Sequence, residues 1–190
     1  MILSAVHSIN KYFIPDRYCV DEKLYRKTRI FINTTLITSA ISFITIFSAS
    51  YFGMIHHMYA TGICCILFFS LAWLFRSGVS LFVCANLYLL VTFAWCANVT
   101  FYDGALRSPT VPWLALPPVG AFFLLQSTRS GWLFAVLSEL TIITFGIIQA
   151  NNPDYFRSIK EMKDSPGIRE FYIILCHTNL LMILFFISYE

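Results

Sequence analysis

The chain has 190 residues, of which 58% are hydrophobic and only 12% charged, and its mean hydropathy is +0.70. A soluble domain carries about twice that share of charge, so the composition excludes an ordinary water-soluble fold and points to a membrane protein. The net charge of +3 comes from basic residues flanking apolar runs, which is membrane anchoring and no argument for nucleic acid.

The first 29 residues have no continuous apolar core ahead of their charges, so they do not read as a signal peptide. Ile2, Val6, Ile9 and Phe13 recur at helical spacing, which predicts a short amphipathic helix on the inner leaflet or against a partner subunit. Residues 1–29 are therefore expected to be a cytoplasmic lead-in. From there the charges are segregated. None occurs in 30–75, 77–102, 108–128 or 171–189, and 130–153 holds one, Glu139. A spanning helix needs roughly 20 apolar residues. The run 30–75 is long enough for two, with a break near Gly53 and His56-His57. The pattern predicts an all-α, six-helix transmembrane bundle with spans near 30–50, 55–75, 79–102, 112–128, 131–150 and 170–189.

Six spans place both termini on one side. That side holds Lys11, Arg17, Lys23, Arg26, Lys27, Arg29, Arg76 and Arg129. The other holds Arg107, Arg157, Lys160, Lys163 and Arg169, mostly interleaved with acids. The cluster before the first span makes both ends cytoplasmic. The first span carries Thr34, Thr38, Ser42 and Thr45 as a stripe of small hydroxyls, suited to close packing on protein. The third span is rich in aromatics, including Trp95 and Tyr102, and carries Asn86 and Asn98. The last charge-free run stops at Glu190, as if the chain were cut from a longer one.

Between the third and fourth spans lies the stretch 102–118, which holds four of the seven prolines. Asp103-Gly104 is a turn signal, and Ser108-Pro109 and Val111-Pro112 hold the backbone extended. Further on, Pro117 and Pro118 cannot donate to the carbonyls of Trp113 and Leu114. Such carbonyls are tolerated in a bilayer only where protein, water or ligand supplies a partner. Two readings stand at this point, a binding mouth and a re-entrant connection that merely starts a helix. As a mouth, it would be an outer-half pocket between the third, fourth and sixth helices. Its lining would be Trp113, Phe122, Phe123, Trp95 and Tyr102, with the hydroxyls of Ser108 and Thr110 at the entrance. The ligand would be small and mostly apolar.

Counted from the span ends at about 1.5 Å per residue, Glu139, Asn86, Asn179 and His177 fall near the midplane. A charged side chain at that depth is costly, so Glu139 must be neutral, paired or facing water. The group reads either as a hydrogen-bonded knot that fixes packing or as the polar floor of a pocket or relay. Every lysine lies outside the spans, which excludes a retinal Schiff base. The six cysteines match no zinc pattern, His56-His57 lacks further ligands, and no phosphate-binding or nucleophile motif is present, so no metal, cofactor or catalytic residue is expected.

The stretch from Tyr102-Asp103-Gly104-Ala105 through Ser108-Pro109 and Trp113 to Pro117 resembles the Gly-Gly, Ser-Pro, Trp and Pro pattern of a six-helix sensory domain. That domain stands at the N-terminus of bacterial sensor histidine kinases, including α-hydroxyketone quorum-sensing receptors, and of some class III adenylyl cyclases. The lead-in Asp21-Glu22-Lys23-Leu24-Tyr25-Arg26 and the closing Tyr189-Glu190 are similar too, while Ala105 stands where a second glycine is usual. The resemblance implies a receptor module of a homodimeric signalling protein in the bacterial plasma membrane. The module itself is no enzyme; a kinase or cyclase would follow Glu190. The rival reading is a small transporter or channel built on Glu139 and the proline-broken span.

Overall fold

The computed structural model describes residues 9–51, 54–108, 110–125 and 127–152. The predicted sixth span, with His177 and Asn179, lies outside the described residues. Every regular element among those described is helical. Four helices are long and apolar enough to cross a membrane: α1 (Glu22–Tyr51), α2 (Ile55–Arg76), α3 (Leu81–Tyr102) and α5 (Thr128–Asn151). The chain is thus an all-α protein with four candidate spans among the described residues.

The predicted fourth span takes a different form. Its prolines prevent one continuous α-ladder. The backbone runs as a 3-10 turn (Val111–Ala115), one α-turn (α4, Leu116–Gly120) and a π-turn (Ala121–Leu125). Those fifteen residues extend roughly 20–25 Å, short of a ~30 Å hydrocarbon core.

Side-chain oxygens set the starts of the long helices. Asp21 Oδ1 accepts from the backbone N–H groups of Lys23 and Leu24, so α1 begins at Glu22 and its charged lead-in is part of the helix. Ser80 and Ser127 accept in the same way from Val83 and Ser130 at the starts of α3 and α5.

α1 packs along α2, and α2 along α3; α5 packs on α4 and the turns around it, which in turn lie on α3. α3 is therefore the central helix. The buried line of α1 is Thr28, Phe31, Ile32, Thr35, Ser39, Ser42, Thr45 and Ala49. This stripe includes Ser42 and Thr45 of the predicted hydroxyl face but is rotated toward Thr35 and Ser39. Ser39 Oγ donates to the Cys65 carbonyl at 3.1 Å, and Cys65 Sγ returns a contact to the Ser39 carbonyl at 3.3 Å. Thr38, half-buried beside that line, meets Tyr88 Oη of α3 at 2.9 Å. Phe31, Phe68, Phe75, Tyr88 and Leu89 fill the core between these helices.

Residues 9–18 fold back onto the end of the bundle where α2 turns into α3. Phe13, Ile14 and Tyr18 are buried there. The Arg76 guanidinium lies 3.5 Å above the Tyr12 ring and donates to the Tyr12 carbonyl. Arg17 donates to the Gly78 carbonyl at 2.6 Å, and Tyr18 Oη accepts from the Leu81 N–H. Phe13, read as part of an amphipathic face, is spent on the chain's own core.

Candidate functional site

The site is built on the end of α3 away from that N-terminal plug. Asp103 and Gly104 close α3 with backbone bonds to Val99 and Phe101, and Gly104 turns the chain at φ 113°, a conformation glycine adopts without steric cost. Ala105 follows at φ 54°, also left-handed. Its methyl is fully buried against Phe145, with Phe101, Ala97 and Ile148 around it. The Gln149 amide oxygen of α5 accepts from the Leu106 N–H at 3.3 Å, which ties the turn to α5.

Ser108 and Thr110 sit inside the protein, 6% and 1% exposed. Thr110 Oγ1 lies 2.6 Å from Ser108 Oγ and 3.0 Å from Thr100 Oγ1 of α3, and the Thr110 N–H donates to Ser108 Oγ. In this state the two hydroxyls are spent on a knot that pins the loop to α3, and neither lines an entrance.

Beyond the knot the two freed carbonyls find partners by different means. The Trp113 carbonyl accepts from the Leu116 N–H, which is why the first turn is 3-10. Leu114 has no such option: the residues three and four positions on are both prolines. Its carbonyl is satisfied from another helix, by Ser138 Oγ of α5 at 2.6 Å, with Leu114 1% and Ser138 5% exposed. Ser138 was not singled out in the sequence.

Of the residues expected to line a pocket, the structure brings some together. The Trp95 and Trp113 rings lie 5.4 Å apart at 47°, and Trp95 Nε1 donates to Thr61 Oγ1 of α2 at 3.2 Å. Tyr102 stacks on His56 at 5.0 Å with the rings 8° from parallel, and meets His57 edge-on at 6.4 Å. Asn98 stands on α3 between Trp95 and Tyr102; its amide oxygen is buried and has no hydrogen-bond partner among the described residues. Phe122 lies elsewhere, with its ring over Gly131 at the start of α5. The side chain of Phe123 is outside the described set.

A second feature escaped the sequence reading. His57 Nε2 of α2 and Asp103 Oδ1 at the end of α3 are 3.2 Å apart and nearly buried, so the turn signal at Asp103 is also a tie between helices. Each has a local explanation in sequence, a histidine pair in a loop and an aspartate before glycine, and nothing in the chain marks them as partners.

The intramembrane polar residues are dispersed where they are described. Asn86 donates to the Phe82 carbonyl of its own helix, and Glu139 is exposed on α5. Among the described residues no group of three or more His, Cys, Asp or Glu is placed to hold a metal. A groove of about 460 Å³ opens between α1 and α2, lined by Leu36, Ser39, Phe43, Cys65, Phe69 and Ser70 among others.

The chain matches no family model, no curated protein and no solved structure.

Proposed function

We propose that this chain is the membrane-embedded receptor module of a homodimeric bacterial signalling protein. It takes a small, mostly apolar signal in the outer half of the plasma membrane. It passes a change in helix packing to a cytoplasmic output enzyme, a histidine kinase by preference and a nucleotide cyclase as the alternative. The observation that carries this reading is the broken segment 111–125. Within fifteen residues it uses three hydrogen-bond registers, and a serine on another helix holds one of its carbonyls.

A receptor needs an element with two packings that a ligand binds unequally. An irregular backbone with a side-chain clasp is a better candidate for that than a continuous α-ladder, and π-turns are frequent at functional sites. Trp113, Trp95 and Tyr102 supply flat apolar surface beside it, and the Asn98 oxygen offers an acceptor to a ligand hydroxyl. The resemblance of the 102–117 stretch to sensory domains supports the same reading. The transporter reading draws on Glu139, yet Glu139 faces away from the broken segment that its neighbour Ser138 clasps.

The test uses the chain in lipid nanodiscs and a series of alkyl hydroxyketones of increasing chain length. A saturable change in tryptophan fluorescence with one member, lost in Trp113→Ala while insertion is intact, is the expected result. An unchanged response in Trp113→Ala, or no saturable response to any member, refutes this site for this ligand class.

A further inference from the structure

The N-terminal plug, residues 9–18, meets the bundle at a strongly basic end. α2 stops at Arg76 and α3 starts at Leu81, so the loop between them lies where two spans leave the apolar core of the membrane. α1 starts beside it, with Phe31 against Phe75. α5 starts at the same end, because its other end carries Gln149 against the turn that follows α3. This end holds the six Lys and Arg residues from Lys11 to Arg29, together with Arg76 and Arg129. Against these eight cations stand three carboxylates, Asp16, Asp21 and Glu22.

Three of the cations gather around the α2–α3 loop. Arg17 donates to the Gly78 carbonyl and Arg76 to the Tyr12 carbonyl, which fixes both guanidinium groups beside residues 76–78. Lys11 is exposed and directly precedes Tyr12, whose ring lies under Arg76. A guanidinium carries five N–H donors, and each arginine spends one on its carbonyl. Among the described residues no carboxylate lies within ion-pair distance of Lys11, Arg17 or Arg76. Like charges held around one short loop repel, and an anion that takes their remaining donors relieves that repulsion. The rim of the patch is apolar. Tyr12 and Trp73 are about half exposed and meet edge-on at 6.1 Å, and Val20 is 90% exposed. Aromatic rings beside cations at the end of a span suit the membrane–water interface. A phospholipid fits both parts, its phosphate on the cations and its chains against the rim, whereas a free anion fits only the first.

We infer that Lys11, Arg17 and Arg76 form a binding site for the phosphate of an anionic phospholipid, whose chains lie against Tyr12 and Trp73. Lys11 and Arg17 belong to the plug and Arg76 to α2, so one bound phosphate bridges the two and holds the plug on the bundle. A zwitterionic lipid is disfavoured, because its ammonium group would be brought against the same three cations. Each Lys or Arg close to an anionic surface is worth roughly fivefold in affinity, so removing two of the three should abolish most of the preference. The site lies at the opposite end of α3 from the Tyr102 turn and the Trp113 segment. It is therefore independent of the receptor reading, and its test can fail without touching that reading.

The experiment presents the whole chain in micelles with equimolar phosphatidylglycerol and phosphatidylcholine, and native mass spectrometry reads which lipid is bound first. The parent chain should favour phosphatidylglycerol by roughly fivefold or more. Lys11→Gln with Arg17→Gln should bring the ratio near one. Lys23→Gln with Arg26→Gln removes the same charge from the exposed first turns of α1 and should leave most of the preference. Lys11→Gln alone changes an exposed side chain with no partner to lose among the described residues, so its partial loss of preference is read on an intact fold. No preference in the parent, or equal losses in the two double variants, would overturn the inference, the second by showing a diffuse basic surface. Displacement of the lipid by excess glycerol phosphate would assign the cations to a soluble phosphate and overturn the lipid. Hydrogen exchange at the Ile14 and Tyr18 amides, which bond within the plug, should slow in phosphatidylglycerol nanodiscs relative to phosphatidylcholine ones. Equal rates would overturn the bridge between plug and bundle.

Discussion

The Leu114 carbonyl gives the sharpest test of how the broken segment is held. Pro117 and Pro118 remove both backbone donors that a 3-10 or an α-ladder would offer it, and Ser138 Oγ replaces them at 2.6 Å in a site where both residues are buried. Ser138→Ala therefore leaves a buried carbonyl without its donor. A buried polar group stripped of its partner costs about 1–3 kcal/mol, more than the ~1 kcal/mol net worth of the bond, because water cannot replace it there. Loss of the serine's own hydroxyl adds nothing comparable, since a methyl in its place is apolar among apolar neighbours. Reversible unfolding in mixed micelles with increasing dodecyl sulfate reads the change as a shifted midpoint. The decisive version is a cycle with Pro118→Ala, which returns an N–H four residues after Leu114. In that background Ser138→Ala should cost clearly less than in the parent, giving a coupling energy of about 1 kcal/mol or more between two residues 20 positions apart. Additive effects would show that the serine does not substitute for the missing helix donor, and an unchanged midpoint for Ser138→Ala alone would end the argument.

Three further outcomes are expected. Thr110→Val keeps the volume but removes the hydroxyl shared by Thr100 and Ser108, and should lower stability in the same assay by about 1–2 kcal/mol; a neutral effect would mean the knot does not hold the loop. Gly131→Ala would put a methyl carbon 2.5 Å from the Phe122 ring, so it should cost about 1–3 kcal/mol, and Phe122→Ala should relieve most of that by opening the space; equal penalties in both backgrounds would refute the contact. Reporter fusions after Met1 and after Glu190 should be active only in the cytoplasm, as the basic residues before the first span require, and outward activity at either end would refute the orientation.

What could be read from the sequence follows from the range of the interactions involved. The apolar runs and the small polar turns between them are local, so α2, α3 and α5 lie close to their predicted positions. The first helix starts earlier because a cap at Asp21 outweighs the charges after it. The demand for a polar partner near Trp113 and Leu114 was also legible, since proline chemistry is local. Which group answers was not: Leu116 answers for Trp113 by a change of helix type, and Ser138 answers for Leu114 across 24 residues. The form of segment 111–125 was not legible for the same reason, because hydropathy counts residues and cannot register three kinds of turn. Ser108 and Thr110 show a further limit. Their type and spacing were noted, but whether a hydroxyl faces an opening or a neighbouring threonine depends on the fold around it.

Ala105 holds a left-handed backbone conformation that glycine adopts more readily. The turn needs two consecutive left-handed residues, Gly104 at φ 113° and Ala105 at φ 54°. Glycine takes that conformation freely, whereas an alanine there bears a strain of roughly 1–2 kcal/mol. Its methyl, however, is 0% exposed and packs against Phe145 and its neighbours, a burial worth about 0.8 kcal/mol and more once the gap left by its removal is counted. The two terms are of similar size and opposite sign, so alanine and glycine can each close this turn.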